Sequence, residues 1–262
     1  MSEPVEFSLA EDGTAMISMN RPALHNAFDE GMIAALTAAC LRAGEDPRVR
    51  RVVLEGRGKS FSAGADLNWM RRSAAYTAEQ NHADALGLGR LMRTLNDLPK
   101  PVIGLVQGAA FGGGAGLAAC CDIVIAAEDA KFCFSEVRLG LIPAVISPYV
   151  VAAIGPHQAR RYFCSAEVIP APEAMRIGLA HIVAPRDGLA AARDAMIATL
   201  AQGGPEAQAD AKALVGDVAG RDIDDALVNM TARRIADRRA SAEAQEGLAA
   251  FLEKRAPSWR AG

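Results

Sequence analysis

Hydrophobic positions along the chain recur with two periods. Glu6 to Leu9 and Thr14 to Met19 alternate apolar with polar residues around Asp12-Gly13, the pattern of two strands joined by a tight turn. From Asp29 to Gly44 the residues Met32, Ile33, Leu36, Ala39 and Cys40 fall on one helical stripe, with Asp29 placed as an N-cap. Val49 to Leu54 reads as a strand, the region of about Tyr76 to Leu98 as a long helix stopped by Pro99, and Val102 to Val106 as the next strand. A glycine loop leads into a short helix of about Gly114 to Cys120, followed by a strand over Asp122 to Ala126. Beyond it the pattern is mostly helical: Pro148 to Ile154, Pro156 to Ser165, Pro172 to Ile177, Asp187 to Ala201, Pro205 to Val218 and Asp222 to Arg255. Strands first and helices after predict a layered α/β core of about residues 1–200 with a helical region over 201–262. No repeat of fixed period interrupts this plan.

Composition narrows the chemistry. The 262 residues carry 28 Lys+Arg against 31 Asp+Glu, a formal charge of −3, which excludes a nucleic-acid binder working by bulk charge. A hydrophobic content of 51% and a charged content of 23% describe a chain with one large core. The five cysteines (40, 120, 121, 133, 164) show no CxxC spacing, which points to a reducing compartment, and the acidic N-terminus lacks the character of a secretion signal, so a cytoplasmic location is expected. The run Val102 to Cys121 has Gln107 as its only polar side chain, but its six glycines cluster as a turn would, so no membrane span is expected. Asn229-Met230-Thr231 matches a glycosylation sequon that has no consequence in a cytoplasmic chain.

Several site types fail on spacing. The four histidines are scattered without HExxH, so no metal is expected. No GxSxG elbow is present. Gly114 to Ala119 matches GxGxxA, with Glu136 twenty residues past Gly116, but the loop does not turn directly from strand to helix. Two glycine-bearing loops remain, Phe61-Ser-Ala-Gly-Ala-Asp66 and Gln107 to Gly116. Glycines permit close approach to the backbone, and helix-start amides are unpaired donors with partial positive charge, so two such amides aimed at one point form an oxyanion hole. The same glycines are equally compatible with tight turns and close helix packing.

Asn20-Arg-Pro-Ala-Leu-His-Asn26-Ala, Gly58 to Leu67, Lys100 to Gly108, Phe111-Gly-Gly-Gly114 and Cys121-Asp-Ile123, in this order, resemble the crotonase (enoyl-CoA hydratase/isomerase) superfamily. Within it, Ser135 to Tyr149 and Gly247 to Arg255 most resemble the bacterial methylglutaconyl-CoA and isohexenylglutaconyl-CoA hydratases. The resemblance implies a spiral of ββα turns with a trailing helical region, assembled as homotrimers that pair into hexamers. It implies a coenzyme A thioester as substrate and no further cofactor. The backbone N–H groups of Ala65 and Gly113 would hold the thioester oxygen and Glu136 would be the catalytic carboxylate. Ala63 would meet the CoA adenine through its backbone, and Phe251 and Lys254 would contact CoA from the C-terminal helix. Asp66, Leu67, Gly112 and Arg71 complete the expected substrate and CoA set, Arg71 or Arg72 as partner to a carboxylate at the acyl end.

The family's hydratases carry a second glutamate at the position of Gly116, whereas the resemblance to the methylglutaconyl-type hydratases implies glycine there, which keeps hydration the leading expectation. A missing positioned acid or base costs roughly 10² to 10⁴ in rate, so two alternatives accompany hydration. One is a Δ3,Δ2-enoyl-CoA isomerase that shuttles a single proton through Glu136. The other is a non-catalytic acyl-CoA-binding protein.

Overall fold

The computed structural model describes residues 3–260. They form two compact units, one extending to Leu98 and from Val102 to Asp194, the other comprising Pro99–Pro101 and the chain from Ala195 onward.

The first unit is built on two sheets. Strands β1 (Val5–Leu9) and β2 (Thr14–Met19) are antiparallel, with Gly13 turning between them at φ 80°. After helix α1 (Glu30–Glu45), strand β3 (Arg51–Gly56) pairs parallel to β2, with Met16 beside Val53. Helices α2 (Leu67–Ser73) and α3 (Ala78–Asn96) then lead to β4 (Val102–Val106), β5 (Ala109–Phe111) and α4 (Gly113–Ala119). Next come β6 (Ile123–Ala127), β7 (Lys131–Cys133), α5 (Ser147–Ser165), β8 (Ile169–Pro170), α6 (Ala171–Arg176) and β9 (Ile182–Ala184). The large sheet has the order β1-β2-β3-β4-β6-β9 and the small one β5-β7-β8. A strand of the large sheet, a strand of the small sheet and a helix therefore follow one another, as in β4-β5-α4 and β6-β7-α5. That is the expected spiral of ββα turns. All five residues of β4 are buried, as a parallel strand covered on both faces requires.

Sequence periodicity missed the short strands. Ala109–Phe111, at the head of the glycine loop, and Lys131–Cys133 are three-residue strands, and β8 and β9 lie in the half expected to be helical. In segments this short, pairing with a neighbouring strand decides the conformation. The apolar run 102–121 is β4, β5 and α4, and among the described residues no helix is long and apolar enough to cross a membrane. The two helices expected around Gly155-Pro156 form one element broken at Gly155 (φ 73°, ψ 159°).

The second unit is helical. Helix α7 (Leu189–Leu200) leads into α8 (Pro205–Val218), α9 (Asp225–Ala240) and α10 (Ala242–Leu252). The single helix expected over 222–255 is divided at Ser241, whose extended backbone and side-chain bond from the Ala244 N–H start α10. Glu243 accepts from the Glu206 and Ala207 amides, closing the start of α8.

Asn26 connects the first loop of the core to the strand ends. It is fully buried in left-handed backbone at φ 54°. Its side-chain oxygen accepts from the Arg21 N–H at 2.9 Å, and its Nδ2 faces the carbonyls of Arg57, Ser60 and Phe61 at 2.9–3.1 Å. Asparagine tolerates this backbone better than β-carbon residues lacking a short polar side chain. Asn26→Ala leaves buried carbonyls without donors, each deficit costing about 1–3 kcal/mol. Urea unfolding should accordingly show a loss of about 3 kcal/mol or more, and a loss of under about 1 kcal/mol would contradict the assignment.

Candidate active site

The loop Phe61–Asp66 enters the site alongside β5, joined to it by a parallel bridge of Ser62 with Ala110. The Phe61 N–H donates to Gln107 O at 2.8 Å, Ser62 N–H to Ala109 O at 3.0 Å and Phe111 N–H to Ser62 O at 2.9 Å. Gly64 then turns at φ 89°, where a β-carbon would stand 2.9 Å from Phe111 O and 3.9 Å from the Gly112 Cα. The two glycine-bearing segments thus run in van der Waals contact, which only a residue without a side chain permits.

This contact aligns two amides. Phe28 donates to Gly64 O at 2.7 Å and accepts from the Asp66 N–H at 2.8 Å, a one-residue parallel bridge around Ala65. In such a bridge the N–H of the enclosed residue points away from its partner, and among the described residues the Ala65 N–H has no acceptor. Gly113 is the first residue of α4, so its N–H has no intrahelical acceptor either. Gly112, the residue before it, adopts φ 49°, ψ −120°.

Glu136 stands beside this pair. A β-carbon on Gly112 would lie 3.2 Å from Glu136 Oε1, so glycine here provides both a backbone conformation and room for the carboxyl. Glu136 begins a short 3-10 turn, Glu136–Leu139, after the buried Phe134, whose ring packs edge-on to Phe163 at 5.2 Å. Its Oε2 is buried and has no hydrogen-bond partner among the described residues. Burial raises its pKa above the ordinary glutamate value, while a hydrogen bond from its own backbone N–H offsets part of the rise.

Gly116 explains the absent second carboxylate. A β-carbon there would run into the Ile146 side chain, and would also lie 3.4 Å from Met92 Cε. Ile146 and Met92 are both buried. The space one helical turn along α4 from Gly113 is therefore filled by hydrocarbon.

The remaining expected residues fall into separate groups. Asp66 spends its carboxylate on structure, accepting from the Asn68 and Trp69 amides at 2.8 and 3.2 Å as the N-cap of α2 and reaching Arg21 Nη2 at 3.3 Å. Burial alone would raise its pKa, but the two amides and Arg21 outweigh it and hold the group below the ordinary aspartate value. Ala63 is exposed, and its N–H donates to His25 O at 2.9 Å. Leu67 is exposed at the start of α2. Arg72 pairs with Glu30 at 2.6 Å, whereas Arg71 contacts only Asn68 Oδ1 at 3.2 Å and has no carboxylate partner among the described residues. Phe251, 80% exposed, and Lys254, at φ 55°, belong to the helical unit and not to the unit that holds the amide pair.

Phe28 and Ile146 are site residues that periodicity does not single out. Phe28 carries a signal nonetheless, since an apolar residue just before an N-cap is the position of a hydrophobic staple. Nothing in the local pattern marks Ile146, which meets Gly116 only in the folded chain.

The raised pKa of Glu136 has a consequence for stability. A carboxyl whose folded pKa exceeds its unfolded one binds more protons when folded, so its contribution is complete below the unfolded value and is lost as pH rises through the folded value. Glu136→Gln carries no such penalty. Its melting temperature relative to wild type should rise from about pH 4, near the ordinary glutamate value, to pH 8. A difference that is flat or falling over this range would show that the carboxyl is not disfavoured by burial.

Comparison with known proteins agrees with this geometry. The sequence profile of the enoyl-CoA hydratase/isomerase family matches residues 10–262. The chain is 35% identical to a crotonyl-CoA hydratase of Syntrophomonas wolfei over 94% of each chain. A crystal structure of an enoyl-CoA hydratase from Shewanella pealeana is 46% identical and superimposes with a TM-score of 0.95, covering 98% of this chain and 96% of that one. One from Mycobacterium smegmatis is 32% identical, with a TM-score of 0.92 over 98% and 99% of the two chains. With two unpaired amides and a buried carboxyl on the same spiral of ββα turns, the chain belongs to the enoyl-CoA hydratase/isomerase family, the crotonase superfamily.

Proposed function

We propose that this protein adds water across the 2,3 double bond of a branched glutaconyl-CoA of the 3-methylglutaconyl type. The observation that carries the proposal is the buried Glu136 carboxyl, whose Oε2 has no hydrogen-bond partner among the described residues, beside the adjoining Ala65 and Gly113 segments. The two amides hold the thioester oxygen and withdraw electrons from C3, each donor contributing on the order of 10² to 10³ in rate. Ionised Glu136 takes a proton from water as the hydroxyl bonds to C3 and the enolate forms on the thioester. The protonated carboxyl then delivers that proton to the α-carbon, which regenerates the carboxylate. A single carboxyl serves both steps because it has two oxygens, and a pKa raised above the ordinary glutamate value by burial suits a group that must both accept and donate. The chemistry uses no cofactor beyond the CoA of the substrate.

The filled space at Gly116 favours a second activity, Δ3,Δ2-enoyl-CoA isomerisation, in which the same carboxyl carries a proton between C4 and C2 without water. Measuring 3-hydroxyacyl-CoA formation and double-bond migration on one preparation separates the two. Glu136→Gln keeps the size of the side chain but cannot carry a proton, so whichever turnover is present should fall by roughly 10² to 10⁴, with acyl-CoA binding retained. Turnover above about a tenth of wild type, against that expected loss, overturns the role of Glu136.

A glutaconyl group ends in a carboxylate that needs a charged or multi-donor partner once desolvated. Arg72 is committed to Glu30, so Arg71 is assigned as that partner. Arg71→Ala should lower kcat/KM for glutaconyl-CoA by roughly 10- to 100-fold, the worth of a charge-assisted hydrogen bond, and leave crotonyl-CoA unaffected. Equal effects on both substrates would remove Arg71 from recognition.

We further propose a cytoplasmic homotrimer, or a pair of trimers. In support, among the described residues no disulfide forms and four of the five cysteines are buried. The helical unit exposes Ile223, Val228, Ile235, Leu248, Phe251 and Leu252, an apolar surface that association would cover.

A further inference from the structure

Phe28 touches both halves of the amide pair. Its backbone N–H and C=O bind the peptide groups on either side of Ala65, at 2.7 Å to Gly64 O and 2.8 Å from the Asp66 N–H. Its ring lies against Gly113, with Cε2 and Cδ2 at 2.9 and 3.0 Å from where a β-carbon on that glycine would stand. One side chain therefore fills the space under one amide while its own backbone orients the other.

Phe28 is itself held in a rigid frame. It is 1% exposed. The next residue, Asp29, caps α1 by accepting from the Met32 N–H at 2.8 Å and pairs with Arg21 Nη1 at 2.6 Å. The same guanidinium donates to Ala27 O, on the other side of Phe28, at 3.2 Å and reaches Asp66 at 3.3 Å. The starts of α1 and α2 are thus tied to one cation, with Phe28 between them.

We propose that Phe28 is a positioning residue that sets the separation of the Ala65 and Gly113 N–H groups and hence the polarisation of a bound thioester. The proposal rests on the assignment of this pair as the thioester-oxygen site. An oxyanion donor acts only when held about 2.7–3.1 Å from the oxygen. Interiors are close-packed, so removing the ring leaves a void into which neighbouring structure relaxes. Gly113, with no side chain to lodge elsewhere, is the residue free to follow. CoA contacts away from the reacting carbonyl remain, so affinity is spared while turnover is not.

The test uses Phe28→Leu and Phe28→Tyr in the full-length chain, with cinnamoyl-CoA as spectroscopic probe and crotonyl-CoA for kinetics. The absorption of an aryl enoyl thioester moves to the red when its carbonyl is polarised. Wild type and Phe28→Tyr should produce this shift on binding, and Phe28→Leu should lose at least half of it. In Phe28→Leu, kcat should fall by roughly 10² with KM little changed, the cost of one misplaced donor. Gly113→Ala, harmful alone because its methyl meets the ring, should raise kcat of Phe28→Leu by about tenfold by refilling the void, a non-additivity expected only of residues in contact. Phe28→Met, which is smaller than phenylalanine and lacks its flat ring but is flexible enough to adapt to the site, takes the place of Phe28→Leu if the latter does not fold. A full red shift in a folded Leu or Met variant overturns the proposal, even if kcat has dropped. Absence of any shift in wild type overturns instead the assignment of the amide pair on which it rests.

Discussion

A peptide N–H in a folded chain ordinarily finds an acceptor, and the two that matter here are denied one by the way the backbone is routed. Ala65 is enclosed in a bridge whose hydrogen bonds belong to its neighbours, and Gly113 is the first residue of a helix. Both conditions depend on Gly64 and Gly112 passing within contact distance. Side chains at these points would separate the segments, and no arrangement of surrounding charge would replace the lost convergence. The sheets, the caps on α1 and α2 and the Asn26 network all serve to keep this approach rigid.

Electrostatics follow from the same crowding. The Glu136 carboxyl is placed where one oxygen meets Gly112 and the other meets no donor among the described residues, so burial disfavours the anion and raises its pKa above the ordinary glutamate value. By contrast, Asp66, the residue next to Ala65, is also shielded from water but has amide donors and a guanidinium, which hold its pKa below the ordinary aspartate value. Two carboxyls in one neighbourhood are thereby set apart by their hydrogen-bond partners, one holding a helix and one with an oxygen left without a donor among the described residues.

Much of the frame is legible in the sequence because it rests on local rules. The alternation of β1 and β2, the Asp29 cap and the apolar stripe of α1 are each specified by residues next to one another. The glycines at 64, 112 and 113 show up as a cluster with no core-forming purpose of their own, which is why both loops stand out as candidates. What lies beyond local reading depends on contacts between distant segments. The small sheet consists of pieces of two or three residues whose conformation is chosen by their partners. The packing of Ile146 against Gly116 joins positions 30 residues apart. The Phe28 ring under Gly113 joins positions 85 apart. The family resemblance implies roles for Ala65, Gly113 and Glu136, but not the reason a carboxylate is absent at position 116.

Ile146 also constrains how this site can change over time. A carboxylate at position 116 is within reach by a single glycine substitution, yet its first carbon would collide with a buried branched side chain. The isoleucine must therefore shrink before the glutamate can be accommodated, and in that intermediate a void opens next to α4, the helix that Gly113 begins. The two steps are ordered, and the first brings loss without benefit. Gaining a second carboxyl in this chain therefore takes two coupled substitutions, at positions 116 and 146, where position 116 alone suggests one.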